Sequence, residues 1–161
     1  MTSQRSNALA ERLEQGAREL AAFASNLSDV QWHMAVPKDG RTVGVIVDHV
    51  ANMYPIEIQV AQSIAKGDPV VGVTWAAVDE INAAHAKDFA QVTQAEALER
   101  LKANSTAAAA AIRALSADEL DRAAGFSLNS DAPMSCQFVL EDHAVRHSFH
   151  HLAVIRRALQ Q

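Results

Sequence analysis

The stretch EDHAVRHSFHHLAVIRR, residues 141–157, carries four of the chain's seven histidines, His143, His147, His150 and His151. Its apolar residues Val145, Phe149, Leu152 and Val154 recur at helical spacing with no glycine or proline between them, so the segment reads as an amphipathic helix. Ser135 supplies an N-cap, and the helix is expected to reach about Leu159. At about 100° per residue, His147 and His151 lie roughly 40° apart and one turn along the axis, so both rings reach a common point. His143 lies one turn back on that face, with Cys136, Leu140, Val154 and Ala158. His150 falls about 60° from its centre, at the margin. Phe138, Val145, Phe149 and Leu152 form an opposite apolar side. Either the loop before this helix covers it, or a second copy of the chain does, giving a homodimer.

Three further amphipathic stripes lie upstream. Leu9, Leu13, Leu20, Phe23 and Leu27 mark the first helix, ended by SDVQWHMAVPKDGR. Val45, Ile46, His49, Met53, Ile56, Val60 and Ile64 mark the second, opened by Thr42 and closed by Gly67. Pro55 lies inside it and removes the hydrogen bond its N–H would have given the Ala51 carbonyl, so a kink is expected just beyond His49. The third stripe, Val78, Ile81, His85, Phe89 and Val92, breaks near Thr93. There a Thr93–Glu96 capping box restarts a helix through Leu98, Leu101, Ala108, Ile112 and Leu115. Ser116 and Glu119 repeat the capping-box spacing in a short turn, and AGFSLNSDAPMS reads as a long loop. Four such helices bury their stripes most simply as an all-α four-helix bundle, a single domain over 1–161.

With 161 residues, 49% of them hydrophobic, the chain has enough apolar side chains for one core. A net charge of -5 without a Lys/Arg block gives no footprint for nucleic acid. The polar opening stretch and the lack of any apolar run of about 20 residues predict a soluble, cytoplasmic protein with no membrane partner. A lone cysteine, Cys136, leaves metal chemistry to histidines and carboxylates.

His49 and His85 also occupy the centres of apolar stripes. A single inward histidine is ordinarily a core residue satisfied by one hydrogen bond, and a bundle with buried histidines and no metal is one reading. Several imidazoles converging in one core, however, leave donors and acceptors unpaired unless something shared satisfies them. A divalent ion such as zinc or nickel does so. An i, i+4 pair plus one ligand from a facing helix leaves a coordination position open, the mark of a ligand-binding or catalytic site. No carboxylate stands out as a general base: Glu57 falls about 80° from the centre of His49's face, and Glu141 and Asp142 point away from that of His147. His33, beside Trp32, is read as a loop-surface residue.

The segments RTVGVIVDHVANM (41–53) and RHSFHHLAVIR (146–156) resemble the DinB and YfiT-like superfamily of bacterial four-helix metal-binding proteins. That resemblance implies His49, His147 and His151 as the metal ligands. It also implies an up-down-down-up bundle with a long crossover between helices two and three, at KGDPVVGVT, and frequent homodimers. Leu152, Ala153 and Val154 stand where many members have Arg-Gly-Gln. Relatives include the mycothiol-dependent maleylpyruvate isomerase, whose middle ligand is a glutamate where this chain has His147. The function expected is a metal-dependent transferase or hydrolase that acts on a small molecule, with a low-molecular-weight thiol as cosubstrate and His85 and His143 lining the pocket. The alternative is a non-catalytic metal-binding stress-response protein.

Overall fold

A computed structural model describes residues 3–160; Met1, Thr2 and Gln161, the ends of the expected 1–161 domain, lie outside the described residues. The chain forms α1 (Gln4–Ser25), α2 (Asp29–Trp32), α3 (Val43–Lys66), α4 (Trp75–Asp88), α5 (Gln94–Arg113) and α6 (Ala117–Asp121). The strands β1 (Ala123–Phe126) and β2 (Ala132–Ser135) follow, then α7 (Cys136–Val139), a π-helical turn (Leu140–Val145) and α8 (Arg146–Leu159). α7, the π turn and α8 run on with helical backbone at both junctions, as one rod.

The bundle is the expected up-down-down-up four-helix type, made by α1, α3, α5 and the last rod. α1 packs on α5 and α8, and α3 packs on α5 and the same rod. Leu9, Leu13, Leu20, Ile46, Ile64, Leu101 and Ile112 meet in the core, each at most 1% exposed. Burial of each such side chain contributes about 1.5–3 kcal/mol relative to leaving it in water. The helix starts are those the sequence marks. Thr42, Thr93, Ser116 and Ser135 each accept a backbone N–H in the first turn, and Gly67 (φ 89°) ends α3 in the left-handed region.

α3 runs unbroken through Pro55. The Ala51 carbonyl that proline leaves without its usual donor accepts instead from Asn104 Nδ2 on α5, at 2.9 Å. An interhelical bond thus replaces an intrahelical one where an unsatisfied carbonyl would cost about 1–3 kcal/mol.

Four local differences from the sequence reading have physical causes. The crossover from α3 to α5 is longer than KGDPVVGVT, because Thr93 begins a new helix and leaves α4 inside the connection. AGFSLNSDAPMS is a short antiparallel hairpin with Ala123 opposite Ser135, and Val70 of the crossover adds to its edge through Val70 N–Gly125 O (2.9 Å) and Ser127 N–Val70 O (3.0 Å). AAGF and APMS lack the β-branched alternation that signals a strand, and their third partner, Val70, lies more than fifty residues away. α2 forms in the first connection because Ser28 and Gln31 make a capping box, which seats Trp32 with its Nε1–H on the Val92 carbonyl (3.0 Å). Finally, α1 covers part of the apolar side of the last rod, while Phe138 on that side is 39% exposed. Phe149 lies so close to Gly16 that a Cβ there would stand 2.9 Å from its ring, and Val145 and Leu152 are buried.

Candidate metal centre

His49 comes from the second turn of α3, and His147 and His151 from successive turns of α8. The rod's π turn ends at Val145, so the helical phase relating His147 to His151 is that of a regular α-helix. One ring nitrogen from each of the three histidines lies within 4.8 Å of the other two. The closest approach is His147 Nε2 to His49 Nε2, at 3.1 Å. Two nitrogens bound to one zinc ion at about 2.0–2.1 Å stand roughly 2.9–3.4 Å apart, so the observed spacing fits shared ligation.

Glu57, two residues past Pro55 on α3, accepts the Nδ1–H of His147 through Oε1 at 2.6 Å. That bond fixes the tautomer: Nδ1 carries the proton, and Nε2 presents a lone pair toward His49. Glu57 is 8% exposed, and its second oxygen, Oε2, is buried without a partner. Burial, then His147 and the Arg41 cation, push both His49 and His151 down to about 2. Both rings are therefore neutral at physiological pH, as metal ligation requires.

The three histidines line a cavity of about 320 Å³. Its walls come from α3 (Met53, Ile56, Val60), from α4 and the residues before it (Val73, Trp75, Val78, Ile81) and from the hairpin (Phe126, Leu128). Among the described residues, six buried side-chain atoms lack a hydrogen-bond partner. Five of them belong to residues lining this cavity: Arg41 Nη1, Glu57 Oε2, Asn82 Oδ1, His143 Nε2 and His151 Nδ1. Buried polar atoms are nearly always paired in folded proteins, so their concentration at one cavity fits a site that holds a metal and a polar ligand.

The other sequence candidates separate. His143 lines the cavity against Phe126, its ring centre 5.5 Å away, with burial lowering its pKa. His150 is exposed at the margin of the same cavity. His85 does not line it. It sits behind His49, 5.8 Å between ring centres, and donates Nε2–H to Asp48 Oδ2 at 2.8 Å. Asp48 is 0% exposed and is also paired with Arg100 of α5. A fully buried carboxylate needs such partners, which is why His85 turns toward it and away from the cavity. His33 is a surface residue beside Asp29, and Cys136 is buried, its thiol pushed up to about 11.

Sequence reasoning missed Glu57 and Arg41. A wheel drawn for α3 alone puts Glu57 off the histidine face, but α8 crosses there and brings His147 to it. Arg41 precedes the Thr42 cap, outside any stripe.

The DinB superfamily model matches residues 12–155. The chain belongs to the DinB superfamily. Among solved structures, YfiT from Bacillus subtilis, described as a probable metal-dependent hydrolase with an unusual four-helix bundle topology, superposes with a TM-score of 0.77 at 18% identity. The match covers 99% of this DinB chain and 89% of YfiT, and at that identity the likeness speaks to the fold. No functionally curated protein matches the sequence. Among the described residues of this DinB protein, no helix is long and apolar enough to cross a membrane.

Proposed function

We propose that His49, His147 and His151 hold one divalent ion, zinc or nickel, and that the cavity beside them carries out transfer of water or a small thiol to an electrophilic small molecule. The observation that carries the reading is the His147 ring. Glu57 holds its Nδ1–H, and its Nε2 lies 3.1 Å from that of His49. The description of YfiT as a probable metal-dependent hydrolase agrees with it. When bound, a metal with three neutral ligands supplies a strong positive charge that acidifies water or thiol and stabilises developing negative charge.

The chain's own residues do the rest. Glu57 orients His147 through Oε1 and has Oε2 uncommitted, which makes it the proton acceptor in this reading. The apolar walls lower the polarity around the reacting groups. His143 borders the cavity as a proton-transfer group, while His85 is a positioning residue that fixes Asp48 behind His49.

Metal analysis of untagged protein tests the ligand set. One equivalent of zinc or nickel is expected in the wild type, with near-complete loss in His147→Ala and affinity about 10–100-fold lower in Glu57→Gln. Equal metal content in wild type and His147→Ala would sink the proposal. Cobalt-substituted protein then separates turnover from storage. A change in its visible spectrum on adding low-molecular-weight thiols supports the enzyme, and silence toward thiols and organic acids supports the non-catalytic stress protein.

A further inference from the structure

We propose that the cavity takes a small organic carboxylate, with its head group on Arg41 beside the histidine cluster and its apolar body along the α3–α4 wall. The assignment rests on the reading of this cavity as the reaction chamber and names the class of molecule that enters it.

Arg41 is presented by a built loop. Val36 N bonds the Arg41 carbonyl and Gly40 N bonds the Val36 carbonyl, both at 2.9 Å, and Lys38 and Gly40 adopt positive φ to close the turn. Asp39 fixes the guanidinium, accepting from Nε at 2.7 Å and from Nη2 at 2.8 Å. Two of the three nitrogens are thereby committed on one edge, and the third, Nη1, is buried without a partner. Arg41 lines the cavity and Asp39 does not, so the cation of the pair faces the chamber with its counter-ion behind. Its charge reaches the cluster, where it helps keep His49 and His151 neutral.

Arg146, the other arginine of the lining, offers a contrast. It is half exposed and shares the wall with its own partner, Asp142 (3.4 Å), so its charge is answered inside the chamber. The one unpartnered nitrogen of Arg41, Nη1, suits one carboxylate oxygen; a phosphate, with more oxygens and charge, calls for more donors than Arg41 has free. The rest of the wall is apolar, with Ile56, Trp75 and Ile81 partly exposed. A volume of 320 Å³ lies at the small end of the roughly 300–1,000 Å³ range of ligand pockets.

Calorimetric titration with hexanoate, hexanamide and hexyl phosphate, on metal-free and zinc-loaded protein, tests the assignment. Metal-free wild type is expected to bind hexanoate about 10–100-fold more tightly than hexanamide, the worth of one charge-assisted hydrogen bond. Arg41→Met should lose that preference and leave hexanamide binding unchanged, and Arg41→Lys should keep part of it. Equal binding of acid and amide by the wild type, preference for hexyl phosphate, or full preference for hexanoate in Arg41→Met overturns the proposal. A crystal structure of the wild type with hexanoate needs no variant: the carboxylate belongs within hydrogen-bond distance of Arg41 Nη1, and any other placement overturns it. Absence of both stoichiometric zinc and stoichiometric nickel from the wild type would instead overturn the metal reading, and the acid–amide comparison on metal-free protein stands apart from that result.

Discussion

α3 and α4 both line the same cavity, and they are attached to the protein in opposite ways. Fifteen of the 24 residues of α3 are buried, among them His49 and Glu57, whereas in the 14 residues of α4 the only buried one is His85. α3 is thus held by the core over most of its length. α4 contributes Trp75, Val78, Ile81 and Asn82 to the cavity but hangs from a polar contact between His85 and Asp48, with His85 stacked on Phe89 at 4.8 Å. The difference teaches a division of labour. The helix that carries cluster residues is rigid, and the helix that shapes the space for a ligand belongs to the weakly held end of the molecule.

Breaking the polar peg should have the largest effect. Asp48→Ala leaves His85 buried without its acceptor and Arg100 without its anion. Removing one partner of a buried pair costs about 3–5 kcal/mol, and since Arg100 is about a third exposed the lower end applies. A fall in melting temperature of roughly 6–12 °C is expected for a chain of this size. Hydrogen exchange should show α4 amides losing protection before those of α3; uniform loss in both helices would mean that α4 is not a separate unit.

Acid sharpens the comparison from the other side. His49 and His151 have folded-state pKa values of about 2 against an ordinary 6.5, so below pH 6.5 the unfolded chain binds protons that the folded chain refuses. Stability of the metal-free protein should be constant with respect to these groups above pH 6.5 and decline as pH falls toward 2. The decline should be shallower in a His151→Leu variant, and calorimetry from pH 4 to 8 measures it. An equal slope in the variant would show that His151 is not kept neutral by its surroundings.

Trp75→Ala should do least to the fold. The side chain is 61% exposed on the weakly held helix, so the change should stay within about 0.5 kcal/mol. A larger drop in denaturant midpoint would show that α4 packs more firmly than its burial indicates.

The framework of α3, α5 and the last rod was legible because each carries a stripe at helical spacing and a Thr or Ser cap at its start, with a closing glycine in α3. The stripes turned His49, His85 and the His147–His151 pair inward, and the resemblance to the DinB and YfiT-like superfamily marked His49 as the third of the set. What escaped depends on where one helix crosses another. Glu57 becomes a partner of His147 only once α8 lies over it. His85 looked like a cavity residue until the buried Asp48, on a neighbouring helix, claimed it. The hairpin escaped because its strands are four residues each and its third partner, Val70, is remote in sequence. Arg41 escaped because its role comes from a turn that no periodicity reports.

The π turn at Leu140–Val145 works as a phase adjuster. A wider turn accommodates one residue more than the α-helical ladder around it, so deletion of any single residue there would restore ordinary i to i−4 bonding and leave the rod intact as a helix. The deletion would therefore keep the facing of the two ends, whereas the same residues wound as an unbroken α-helix would rotate the ends about 100° relative to each other. With Cys136 and Val139 held in the core, His147 and His151 would then swing away from α3, and the cluster would be lost without the removal of any histidine.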